Sequence, residues 1–104
     1  MTEARMKFLD WQVRMLWNIQ HGRCADCERI HRTSASMELA HRIANTKVNR
    51  EKYGAEVVDH YLNKGLTCRE KIAGHSCNDA LNIGNKPHTA ELLARAIRLE
   101  LGET

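Results

Sequence analysis

Apolar side chains recur at helical spacing through the first twenty positions of the chain, at Met6, Leu9, Val13, Leu16 and Trp17. That pattern predicts a helix over residues 3 to about 20 with one buried stripe, and Gly22 is placed to end it. Trp11 and Met15 fall partly outside the stripe, where they can meet another element or a partner chain. A polar stretch runs on to Ser36. Met37 to Ile43 then reads as a short strand, with Met37, Leu39 and His41 on one face and Glu38, Ala40 and Arg42 on the other. Asn45 to Glu56 is polar, basic and broken by Gly54, which predicts a long loop with room for a short helix. A second strand is expected at Tyr61 to Thr67, antiparallel to the first. Arg69 to Ser76 reads as a loop, and Cys77 to Ile83 as a short helix stopped at Gly84. Pro87 and Thr89 open a last helix, Ala90 to Leu101, whose expected buried stripe is Leu92, Leu93, Ala96, Ile97 and Leu101. Internal repeats and low-complexity segments are absent.

Composition narrows the class. The 104 residues suit one small domain, which buries a smaller share of its surface than a large one and gains from a metal staple. Apolar content of 42% and a single proline argue against long disorder. Neither a signal-peptide core nor an apolar run near the ~20 residues of a membrane span is visible, so a cytoplasmic protein without membrane contact is expected. Net charge is only +3. Between Arg23 and Lys52, however, seven Lys/Arg face four Asp/Glu. Arg42, Lys47, Arg50 and Lys52 cluster just after His41, as phosphate contacts would.

Four cysteines carry the clearest chemistry. Cys24 and Cys27 form a C-x2-C knuckle, and Cys68 and Cys77 follow some forty residues later. In a reducing compartment such spacing favours metal over disulfides. Four thiolates make a closed tetrahedral Zn²⁺ site, structural rather than catalytic. His41 and the asparagines are then free for separate chemistry.

The order of these parts resembles the HNH endonuclease family. Leu16-Trp17-Asn18-Ile19-Gln20-His21-Gly22-Arg23-Cys24-Ala25-Asp26-Cys27 is similar to that family's helix-into-knuckle lead. Glu38-Leu39-Ala40-His41-Arg42-Ile43 resembles its first strand, Asn63-Lys64-Gly65-Leu66-Thr67-Cys68 its second, and Cys77-Asn78 the start of its metal-binding helix. The likeness spans roughly residues 16 to 84. It implies an α+β fold with a small ββα-metal (His-Me finger) core, a two-stranded antiparallel hairpin, a structural zinc and flanking N- and C-terminal helices. It also implies a metal-dependent DNA endonuclease, nicking or weakly sequence-specific, leaving 3′-hydroxyl and 5′-phosphate ends. By the same likeness His41 is the general base, Asn63 ties the loop and helps to orient it, and Asn78 ligates a catalytic Mg²⁺ or Mn²⁺. Asn82, one turn on, is a second candidate ligand. A bacterial or phage-infected cell is the setting such a nuclease suggests.

Two departures matter. Family members commonly carry an acidic metal ligand just before the histidine, and here that position is Ala40. Glu38, on the same strand face, or His60, three residues before Asn63, could replace it. The eight residues between Cys68 and Cys77 exceed the usual short spacer, which leaves His75 or His31 as rival fourth zinc ligands. Asn78 also has a plainer role open to it, as a helix N-cap. A rival function is a zinc-stabilised nucleic-acid-binding module without catalysis, with Ala40 as the mark of its loss. A third is a protein-docking scaffold using Trp11 and Met15.

Overall fold

The computed structural model describes residues 2–102. Helix α1, Glu3–Gln20, begins behind the Thr2 side chain, which accepts the Arg5 N–H. Its inward face is more polar than expected: Gln12 and Leu16 are buried, whereas Met6 is 56% exposed. The helix ends one residue before the expected glycine, because His21 itself takes the left-handed turn at φ 54°. Gly22 follows at φ 69°, and a Cβ there would lie 3.0 Å from the Trp17 ring. The site demands glycine for space as well as for backbone.

Strand β1, Met37–His41, is preceded by a 3-10 turn at Ser34–Ser36, and β2 spans Lys64–Cys68 after a second such turn at Tyr61–Asn63. They pair antiparallel, Met37 opposite Cys68, Leu39 opposite Leu66 and His41 opposite Lys64. Both strands are shorter than the sequence suggests. Beyond His41 the ladder gives way to Asn63, whose backbone carbonyl accepts the Arg42 N–H at 2.8 Å. Tyr61 and Leu62 fall in the tight turn, capped by the His60 ring, whose Nδ1 accepts the Leu62 N–H at 3.1 Å.

The expected loop between the strands holds two helices, α2 at Lys47–Tyr53 and α3 at Ala55–Val58, separated by Gly54 at φ 98°. Helix α4 spans Cys77–Leu81 and α5 spans Pro87–Glu100. The buried stripe of α5 is Ala90, Ala94 and Ile97, with Leu93 half-buried. Leu92, Ala96 and Leu101 are exposed, so the expected stripe is corrected by a shift toward the small residues. Alanines let α5 approach α3 closely, which leucines at those places would prevent.

The result is a compact α+β fold with two separate cores. Ile43, Tyr53, Val57, Val58, Ala90, Ala94 and Ile97 make one, between α2, α3 and α5. Leu16, Cys24, Met37, Leu66, Cys68 and Cys77 make the other, between α1, the hairpin and α4. Among the described residues, no helix is long and apolar enough to cross a membrane.

Candidate metal centre and the residues around it

The four cysteines meet. Their Sγ atoms all lie within 4.8 Å of one another. A tetrahedron with metal–sulfur bonds of about 2.3 Å has edges of about 3.8 Å, so the donor set fits Zn²⁺. Local backbone builds the knuckle. The Cys24 N–H donates to Arg29 O at 2.9 Å, Glu28 N–H returns to Cys24 O at 3.0 Å, and Glu28 takes the left-handed turn at φ 64°. The knuckle is then fastened to β2 by Ala25 N–H to Leu66 O at 2.9 Å.

Protons on these thiols show what a cation would relieve. Burial raises the Cys24 thiol, but backbone N–H groups at Cys27, Asp26 and Cys68 outweigh it and bring the group down to about 7. Burial, then hydrogen bonds and like charge from the knuckle thiols, push Cys68 up to about 11 and Cys77 higher still. The Cys24 thiolate therefore forms readily, while Cys68 and Cys77 resist ionising until a cation shares their charge.

Both rival histidines lie beside the cluster. His31 Nε2 is 3.2 Å from Cys68 Sγ, and its Nδ1 is 2.7 Å from Ser36 Oγ, so the ring bridges a thiol and a hydroxyl. That is the geometry of a hydrogen-bonding partner that orients a ligand. His75 Nε2 lies 2.7 Å from Asp26 Oδ2. Between Cys68 and Cys77 the chain folds back on itself, with Ile72 and His75 exchanging backbone bonds around Ala73 and Gly74, both at positive φ. The Asp26–His75 contact pins that loop to the knuckle and returns Cys77 to its partners despite the long spacer.

On the α4 side of the hairpin, Asn78 Nδ2 donates to Glu38 Oε1 at 3.1 Å. The amide nitrogen makes that contact, so its oxygen is the atom open to a cation. Helix capping belongs to Ser76, whose Oγ accepts the Asp79 N–H at 3.2 Å. Asn82 is the C-cap residue of α4, and its Oδ1 accepts the Gly84 N–H at 2.6 Å, so that oxygen is already engaged. His60 lies at the opposite end of β2 from the cysteines, its ring stacked on Tyr61 at 4.6 Å.

His41 is across the sheet from that pair. Strand alternation gives it the face of Met37 and Leu39, opposite Lys64, and its Nε2 is buried with no hydrogen-bond partner among the described residues. Burial, then the Lys64 charge, lowers its proton affinity below the ordinary histidine value; Asp59 opposes this, and Arg5 and Arg50 add to it. Lys64 is 2% exposed, its Nζ donating to Gln12 Oε1 and lying 5.3 Å from the Phe8 ring centre. Burial brings the Lys64 amine down to about 8. Gln12 in turn donates to Asp59 O at 2.7 Å.

Asn63 is wholly buried and fully used. Its Oδ1 accepts the Ile43 N–H at 2.8 Å, and its Nδ2 donates to Ile43 O at 3.0 Å and Val58 O at 2.9 Å. It therefore ties the chain after β1 to the segment before β2. Arg50 is gripped by Asp59 through both guanidinium nitrogens, at 2.8 and 3.2 Å. Lys52 lies 3.8 Å from Glu91, Arg42 is half-buried, and Lys47 opens α2 on an exposed edge. Sequence reading missed Gln12 and Gln20. Gln20 accepts the Leu66 N–H at 2.8 Å and donates to Leu66 O at 2.9 Å, joining α1 to the outer edge of β2. Their helical spacing with Leu9, Val13 and Leu16 was the available signal.

No family model, curated protein or solved structure matches the chain.

Proposed function

We propose that the chain is a metal-dependent HNH-type DNA endonuclease built on a ββα core with a structural zinc. The observation that carries this reading is the meeting of Glu38 and Asn78 at 3.1 Å, between β1 and the first turn of α4, beside the cysteine cluster. A carboxylate and a carboxamide offer oxygen donors, the chemistry of a Mg²⁺ or Mn²⁺ site. Such an ion would neutralise charge on the phosphate and the leaving 3′ oxygen. In this reading His41, at the end of β1, is the general base, a role that requires its ring to reach the Glu38–Asn78 side of the sheet; burial, then the Lys64 charge, favours its neutral imidazole. Asn63 holds the backbone that follows His41. Arg42, Lys47 and Lys52 supply cations for the DNA backbone, with Arg50 shared with Asp59.

A specific observation favours the second reading, a zinc-stabilised nucleic-acid-binding module. Ala40 is 1% exposed and cannot ligate, and His41 lies on the sheet face away from Glu38 and Asn78. Plasmid nicking across Mg²⁺, Mn²⁺ and EDTA separates the two. For a nuclease, His41→Ala lowers cleavage by about 10²–10⁴-fold while zinc content and melting temperature stay unchanged. Glu38→Gln raises the Mg²⁺ needed for cleavage, and Ala40→Asp partly rescues it, because both side chains leave one strand face. DNA binding with no metal-dependent nicking by the wild type would leave the binding module.

A further inference from the structure

Away from Glu38 and Asn78, the second half of α1 and the loop entering the Ser34–Ser36 turn enclose an open recess of about 430 Å³. Its lining is Arg14, Trp17, Asn18, Arg32, Thr33 and Ser34. Two arginines, a tryptophan, an asparagine and two hydroxyl residues line the space, and among the described residues no carboxylate does. A ligand that matches carries negative charge and a flat aromatic part, and the volume lies within the usual range of about 300–1,000 Å³ for a small-molecule site. The indole is held in place, because its outer ring atoms lie against Gly22, where a Cβ would come within 3.0 Å. Arg14 pairs with Asp10 one turn earlier, both side chains being largely exposed, so the pair exchanges easily with another anion.

Arg32 also lines a second hollow of about 370 Å³, together with Arg29, Ile30, His31, Ser36, Cys68 and Glu70. Arg14, Arg32 and Arg29 thus line two adjoining hollows, with an indole at one end. Cations tracking a backbone beside an aromatic platform are how single strands are held, since only an unpaired base offers its face for stacking.

We propose that this recess takes one nucleotide of a single-stranded nucleic acid, its base against Trp17 and its flanking phosphates at Arg14 and Arg32. The proposal rests on the nucleic-acid reading above for its choice of ligand. It deepens that reading by naming an unpaired segment as what the chain engages, and it does not require cleavage.

The chain has two tryptophans, and Trp11→Phe leaves Trp17 as the only indole, read selectively at a wavelength that does not excite tyrosine. Zinc-loaded Trp11→Phe protein is titrated with an oligothymidylate of about ten residues and, separately, with a blunt duplex of similar length. Trp17 emission should fall on binding the single strand and respond far less to the duplex. Arg14→Gln with Arg32→Gln should weaken single-strand binding about ten-fold or more and flatten its log–log salt slope by about 1.4. Trp17→Leu should abolish the signal and weaken binding, measured by anisotropy of a labelled strand, at least about five-fold. Should Trp17→Leu disturb packing at Gly22, the arginine pair, exposed and outside both cores, decides alone. No single-strand binding, unchanged Trp17 emission at saturation, equal quenching by the duplex, or indifference to the two arginines would each overturn the proposal. Metal-dependent nicking without any Trp17 response would sink this inference and spare the nuclease; Trp17-dependent binding without nicking would do the reverse.

Discussion

The two cores of this small protein are made in opposite ways. Around α5, Ile43, Val57, Val58 and Ile97 are aliphatic side chains between 0 and 2% exposed. Beneath the hairpin, three of the six buried members are cysteines. Aliphatic burial is favourable under any redox or metal condition. A core of thiols is conditional: without a cation it holds groups that hydrogen-bond weakly and repel one another when ionised. One half of the molecule is therefore stabilised by its side chains alone, and the other carries a donor set through which a bound ion would add to its stability. Stability and metal content should therefore be separable by which core a substitution strikes.

Removing the ion is the strongest way to break the comparison. Chelation, or Cys77→Ser, should unfold the hairpin half, because a structural zinc contributes apparent binding energy on the order of 10 kcal/mol at neutral pH. Elemental analysis should give one zinc per folded chain, and acidification should release it as the thiols regain their protons. A folded, metal-free protein with an unchanged melting temperature would equate the two cores. Ile97→Ala tests the other half. It leaves a cavity among α2, α3 and α5 and should cost about 2–5 kcal/mol, while zinc stoichiometry in the folded fraction stays at one. Loss of zinc alongside would mean that the halves form one cooperative unit.

The smallest effect sharpens the boundary between them, where Lys64 is buried. Its folded proton affinity lies at about 8, against about 10.4 in an unfolded chain. Between those values the unfolded state binds more protons, so stability rises with pH across that window; below about 8 the burial cost is present in full. Lys64→Met keeps the stem over Phe8 and removes the charge. The difference in unfolding free energy between wild type and this variant should move in favour of the wild type by about 1–3 kcal/mol from pH 8 to 10.5. A flat difference would mean that the amine is solvated in the folded state.

Much of the cysteine half was legible in the sequence, and the reasons are local. Thiols at C-x2-C spacing and a glycine after a helix have few other uses, and α1, the strand pair and α4 all form close to where the residues imply. The other half was harder. Thr46 and Gly54 bracket α2, but its polar surface masks the buried Tyr53, so the segment read as loop. In α5 the leucines drew the eye, whereas packing chose Ala90 and Ala94 because short side chains permit close approach. Strand alternation put Glu38 on the face of Ala40, and the family resemblance, not periodicity, set Asn78 beside it. The setting of His41 was not, since its surroundings come from Arg5, Arg50, Asp59 and Lys64, scattered over sixty positions and joined through Gln12.

The contact between Asp26 and His75 has a consequence for how such a chain can vary. Closing a longer flexible loop costs only about 0.6 kcal/mol for each doubling of its length, far less than a structural ion returns. Once the end of the 69–76 segment is fastened to the knuckle, the residues before it no longer help to set where Cys77 arrives. Ile72, Ala73 and Gly74 form an exposed tip where, among the described residues, the backbone bonds run between Ile72 and His75. Length there is thus nearly a free variable, and an insertion at Gly74 is the change this fold should absorb with least complaint.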